Sequence, residues 1–202
     1  MARKRKPSGR GYKLRRVNSR EPLQRFLIVC EGEKTEPVYF QGFHVPSVVT
    51  VKVKGLAKDP LTLVERAHTL RGKERYDQVW CVFDKDDVFP ERFNRALSLA
   101  KRRKIKVAYS NQSFELWYLL HFHYCHVAMG RNEYVRKLSR ELARAYQKND
   151  DALYQILLPR QKGAIAHAKR LLGEYSPRNP AFDDPSMTVH LLVEELNRFV
   201  WR

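Results

Sequence analysis

Two kinds of hydrophobic pattern divide the chain. Phe26-Leu27-Ile28-Val29 and Val79-Trp80-Cys81-Val82-Phe83 are continuous apolar runs of strand length. Such runs mark strands covered on both faces, as in parallel sheets. Ser47 to Val53 is β-branched and strand-like, and Ile105 to Tyr109 is a short fourth strand. Between these runs the apolar residues fall at helical spacing. Pro37 starts a helix carrying Val38, Tyr39, Phe40 and Phe43; Pro60 to Leu70 places Leu61, Val64, Ala67 and Leu70 on one face. Pro90 to Arg103 does the same with Phe93, Ala96, Leu97 and Ala100. Strands alternating with helices predict a parallel sheet of about four strands with helices on both faces. Beyond Ser110 the pattern is helical only: Ser113 to Phe122, Asn132 to Tyr146, Pro159 to Leu172 and Met187 to Val200. The expected fold is therefore α/β, with a core over about 23–112 and a helical half over about 113–202, forming one domain.

Composition adds a charge argument. The 202 residues carry a formal net charge of +17. Nine Lys and Arg and no acid lie within residues 1–20, so subtracting nine from +17 leaves +8 on the rest. Residues 1 to about 22 hold almost nothing to bury and are expected to be a disordered basic tail. Nucleic acid is the expected partner, because each Lys or Arg that neutralises a phosphate releases a counterion. In the tail the candidate contacts are Arg3, Lys4, Arg5, Lys6, Arg15 and Arg16; in the body they are Lys85, Arg140, Arg144 and Lys148. A solubilising arm and solvated helix faces are the plainer reading of the same residues. No apolar run approaches the roughly 20 residues of a membrane span. The tail has no apolar core of a secretory signal. A membrane role is not expected, and the location is expected to be cytoplasmic. Cys30, Cys81 and Cys125 show no paired spacing, so buried free thiols in a reducing compartment are expected.

Acidic residues then stand out against the basic background. Glu31 directly follows the first strand; Asp84 and Asp86 follow the third. In open parallel sheets, sites form at the carboxyl ends of strands. Fifty-three residues separate Glu31 from Asp84, yet such a fold brings both loops to one edge. Converging carboxylates repel, and a hard divalent cation removes the repulsion. Asp84 and Asp86 with Glu31 are accordingly the expected ligands of Mg²⁺ or Mn²⁺. Each piece also has a local explanation, a turn or a helix start. Glu115 is either a fourth member of the site or an acid favoured by the first turn of its helix. Lys34 and Lys85 contact phosphate or relieve local acidity. Asn111 and Ser113 cap a helix or bind phosphate. Glu33 and Glu36 are expected to be solvated or to structure the loop. His121, His123 and His126 do not share one helix face, so no zinc is expected, nor haem nor a nucleotide cofactor.

These residues carry a family resemblance. Phe26-Leu27-Ile28-Val29-Cys30-Glu31-Gly32 resembles the first motif of Toprim domains, and Val82-Phe83-Asp84-Lys85-Asp86 resembles their Asp-x-Asp motif. Glu31-Gly32-Glu33-Lys34-Thr35-Glu36-Pro37-x-Tyr39-Phe40 and Ser110 to Phe122 resemble signature segments of the RloB family of phage-resistance proteins. The likeness runs from about residue 24 to 200. It implies a Toprim-like fold and a magnesium-dependent nuclease in abortive infection. Glu31, Glu115 and Lys34 would be its catalytic candidates. It also implies an RloA-type ATPase as partner. The alternative is a non-catalytic, nucleic-acid-binding effector subunit of the same shape. If the tail tracks phosphates, removing residues 1–20 weakens nucleic-acid binding in a salt titration. The slope of log K against log salt then flattens by roughly 0.9 for each phosphate that the tail no longer neutralises. An unchanged slope would assign the tail to solubility alone.

Overall fold

The computed structural model describes residues 24–43, 49–50 and 59–199, with the backbone alone at 49–50. The basic tail with Arg3, Lys4, Arg5, Lys6, Arg15 and Arg16 lies outside the described residues, as does most of the strand expected over 47–53. Elements run β1 (Phe26–Cys30), α1 (Thr35–Gln41), β2 (Val49–Thr50), α2 (Pro60–Arg71), β3 (Gln78–Asp84), α3 (Pro90–Arg102) and β4 (Lys106–Asn111). A helical half follows: α4 (Glu115–Leu119), α5 (Arg131–Glu141), α6 (Leu153–Leu157), α7 (Gln161–Gly173), a short β5 (Ser186–Met187) and α8 (Val189–Asn197).

The sheet order is β2-β1-β3-β4-β5. The first four strands are parallel, and β5 is antiparallel to β4. The α/β fold with a helical second half is as the pattern predicts. The antiparallel β5 is an addition that two residues, Ser186 and Met187, could not announce. The order of strand addition reverses at β1: β2 lies on one side of it and β3 on the other. That places the topological switch point between the carboxyl ends of β1 and β3, where open α/β sheets bind ligands.

Strand parity sorts the core. Leu27, Val29, Val79, Cys81 and Phe83 face Leu63, Val64 and Ala67 of α2 and Phe93, Ala96 and Ala100 of α3. Phe26, Ile28, Cys30, Trp80, Val82 and Ala108 face α1 and the helical half, including Trp117, Tyr134, Leu138, Ala164, Leu171 and Leu192. All three cysteines are free and buried. Among the described residues no helix is long and apolar enough to cross a membrane.

Helix limits differ from the apolar periodicity where backbone chemistry intervenes. The helix expected over 113–122 is regular only from Glu115 to Leu119. The helix expected to reach Tyr146 ends at Glu141, and Ala143 then adopts a φ of 52°. That left-handed residue turns the chain back, and the Tyr146 N–H donates to Ser139 Oγ at 3.0 Å. Asn111, at the end of β4, is 4% exposed. Its amide donates to the carbonyls of Asp183 (2.9 Å) and Pro180 (3.3 Å), fastening the segment before β5 to the sheet. The fold thus uses this side chain as a clamp and keeps it from solvent phosphate. Replacing it strands buried carbonyls without a donor, so Asn111→Ala is expected to lower unfolding free energy in urea by roughly 1–3 kcal/mol. An unaltered midpoint would show that the clamp contributes nothing.

Candidate active site

Parity decides the site. Trp80 and Val82 point into the face covered by the helical half, and Asp84 is the next residue of that row. Its carboxylate is therefore carried under the helices, with the side chain 14% exposed. Its Cα partner on β4 is Ser110. Glu31, at the end of β1, donates its N–H to Val82 O (2.9 Å) and accepts from the Asp84 N–H through Oε2 (3.3 Å). The Glu31 carboxylate, 53 residues away in sequence, thus meets the Asp84 backbone at the switch point. Asp86 follows in a turn with φ 36°, a left-handed conformation that aspartate tolerates. Gln112 Nε2 donates to its Oδ1 at 3.3 Å.

Three further groups complete the cluster. Glu115, 3% exposed at the start of α4, accepts from the Tyr146 hydroxyl at 3.3 Å. Glu36 of α1 is 5% exposed and accepts from backbone N–H groups, including that of Gly32. It structures the loop, as expected, but is not solvated. A Cβ at position 32 would run into the Glu36 carboxylate, so the Glu-Gly pair allows this close approach. Arg131, first residue of α5, places Nη2 at 2.9 Å from Asp86 Oδ2 and 3.4 Å from Asp84 Oδ2. On sequence alone Arg131 belongs to a basic helix face. Its role depends on α5 packing over the Asp84 face, which no local pattern reveals. Tyr146 was hidden for the same reason, since only the Ala143 turn brings it back.

Electrostatics follow from this crowding. Burial raises the Glu31 carboxyl to about 7, and Glu36 and Asp86 add to the rise. Burial, followed by the charges of Glu36 and Glu115, holds Asp84 well above the usual carboxylate range despite Arg131. Glu36 is raised by burial and by Glu115, with the exposed Lys148 offsetting part of the effect. In its chemistry the donor set suits a hard divalent cation: every ligand is oxygen, and Asp84 Oδ1 is buried with no hydrogen-bond partner. As the side chains stand, no three His, Cys, Asp or Glu among the described residues form a group that could hold a metal ion. The positive charge at Asp84 and Asp86 comes from Arg131.

The remaining candidates separate. Lys85 Nζ donates to Asp86 O (3.1 Å) and so stays in the acidic loop. Lys34 is exposed at the cap of α1. Ser113 is fully buried, its hydroxyl without a partner, two residues before Glu115. Arg140 is exposed, and Arg144 pairs with Asp150. The histidines scatter: His121 is buried against Trp117, His123 lies 3.5 Å from Glu141, and His126 stacks on Tyr124.

The model of the RloB-like protein family matches residues 26–196, a span that includes every acid of the cluster. No curated protein and no solved structure matches the chain.

A raised carboxyl pKa has a signed consequence for stability. Glu31 is higher in the folded protein (about 7) than its ordinary 4.5. Its contribution is therefore fully present below about pH 4.5 and is lost as pH rises through about 7. Glu31→Gln, which stays neutral, is expected to be more stable to unfolding than the native chain at pH 8, by on the order of 2 kcal/mol. The gap should close towards pH 5. A gap that does not vary with pH would place Glu31 in solvent-like surroundings.

Proposed function

We propose for this chain, which belongs to the RloB-like protein family, the activity of a metal-dependent phosphodiesterase that cuts nucleic acid in phage defence. Membership of the family supports the role in phage defence. The observation that carries the chemistry is the meeting of Glu31 and Asp84 at the switch point between β1 and β3, with the Glu31 carboxyl near neutrality. A group with a pKa close to the working pH is populated in both forms, which suits it to take a proton and return one. In this reading Glu31 removes the proton of the water that attacks phosphorus. It also serves the oxygen that leaves as the P–O bond breaks.

Asp84 and Asp86 would hold a divalent cation, which when bound stabilises charge on the scissile phosphate. Glu115, oriented by Tyr146, would hold outer water or a further ligand position. Lys34 and Lys85, at the rim of the acidic loops, supply point charges for neighbouring phosphates. The excess of positive charge outside the cluster brings the polyanion to acids that would otherwise repel it.

A second reading has two observations in its favour. Arg131 already neutralises the aspartates, and as the side chains stand, no metal-binding group forms among the described residues. The chain would then be a non-catalytic nucleic-acid-binding effector, working with an RloA-type ATPase. Cleavage separates the two. Incubation of labelled DNA and RNA with Mg²⁺ or Mn²⁺ is expected to yield products that chelation abolishes. Asp84→Ala and Glu31→Gln should reduce the rate at least about a hundredfold, the scale of a missing acid-base group. Products formed equally by both variants would sink the assignment. Salt-sensitive binding without cleavage under either metal would establish the effector reading.

A further inference from the structure

Arg131 holds its position in an unusual way. The side chain is 38% exposed and leans inward from the first turn of α5, where Gly130 offers no side-chain cap. One terminal nitrogen, Nη2, serves both Asp84 and Asp86. The inner nitrogen, Nε, is buried and has no partner. On the acid side the mirror condition holds, since Asp84 Oδ1 is also buried without a partner. A guanidinium presents five N–H donors in a rigid fork that fits two oxygens of a carboxylate or phosphate at once. Here the fork is used at one tip. If charge neutralisation were its only task, a lysine would serve as well, with no stranded N–H.

We infer that Arg131 is a phosphate-binding residue that rests on the aspartates until substrate arrives. In the substrate complex it yields Asp84 and Asp86 to a divalent cation and turns its fork to two oxygens of a backbone phosphate. The inference rests on the metal-dependent reading above and deepens it. Both halves of the exchange are needed together. Leaving Asp84, the buried one of the two, without a counter-charge is unfavourable, so Arg131 is released only as the cation is taken up. Metal and nucleic acid must then favour each other's binding, because coupling between two ligands is reciprocal.

The full-length chain tests this with Arg131→Ala and Arg131→Lys. Mn²⁺ alone, followed by electron paramagnetic resonance, reads the competition. Arg131→Ala is expected to bind Mn²⁺ more tightly by about tenfold, while Arg131→Lys, which keeps the charge, stays near the native value. A cleavage-resistant phosphorothioate oligonucleotide, followed by fluorescence anisotropy with and without Mn²⁺, reads the coupling. The native chain should bind it more tightly with Mn²⁺, and both variants should lose that gain, since neither keeps the fork. Thermal unfolding reports whether the alanine variant folds; should it not, the lysine variant carries the coupling test alone. The inference is overturned if a folded Arg131→Ala binds Mn²⁺ no more tightly, or if either variant keeps the native coupling. Those results would leave the metal-dependent reading standing. A native chain that binds no Mn²⁺ would overturn both.

Discussion

The Asp84 carboxylate is the constraint around which the rest is arranged. A strand alternates its side chains between the two faces of a sheet, and the row Trp80, Val82, Asp84 lies on the face roofed by α4 through α8. Asp84 is therefore forced under cover by its position, with no freedom to turn outward. A buried carboxylate without a partner costs several kcal/mol, and the fold responds locally. Arg131 comes in from α5. Placing α5 here is then as much an electrostatic requirement as a hydrophobic one, although Tyr134 and Leu138 of the same helix also pack into the core.

A single guanidinium does not neutralise the cluster. Glu31, Glu36, Asp84, Asp86 and Glu115 stand close enough that several raise one another's pKa. Unit charges about 4 Å apart interact by about 4 kcal/mol at the effective dielectric of a protein's outer layers. Burial first, and the neighbouring acids Glu36 and Asp86 after it, favour the protonated form of Glu31 and raise its carboxyl to about 7. Such an arrangement sacrifices stability at neutral pH. Strongly perturbed carboxylates in a cleft are characteristic of sites where the charge is used. A purely structural network could be replaced by apolar residues of similar volume with little effect on stability.

The sequence revealed most of the sheet and the corner of the site that lies on it. Glu31 and Asp84 are visible because each ends an apolar run, and a parallel sheet sends such ends to one edge. Asp86 is visible by adjacency. What lay hidden came from the helical half. Arg131 reads as one cation on a basic helix, and only the packing of α5 over the Asp84 row selects it. Tyr146 reads as the continuation of that helix, whereas Ala143 in a left-handed conformation reverses the chain and sends the Tyr146 hydroxyl to Glu115. Glu36 reads as a solvated or loop-structuring acid; it structures the loop, and its burial goes with the close approach that Gly32 permits. Asn111 and Ser113 read as helix caps or phosphate contacts; Asn111 instead clamps the segment before β5, and Ser113 is buried with its hydroxyl unpartnered. In each case the missing information was tertiary: which face a helix covers and where a turn returns the chain.

Charge segregation connects these details to function. The chain carries +17 overall, yet the cluster at its switch point is acidic. A basic exterior draws in any polyanion, but phosphate arriving at five carboxylates meets repulsion unless a cation stands between them. Arg131 supplies one positive charge, and it is committed to Asp84 and Asp86. For phosphate to reach the acids, either Arg131 must be shared or a further cation must enter. A guanidinium cannot bridge two aspartates and still grip phosphate bidentately with the same terminal nitrogen. On the metal-dependent reading proposed above, the second positive charge would be a divalent cation, with its preference for carboxylate and phosphate oxygens together.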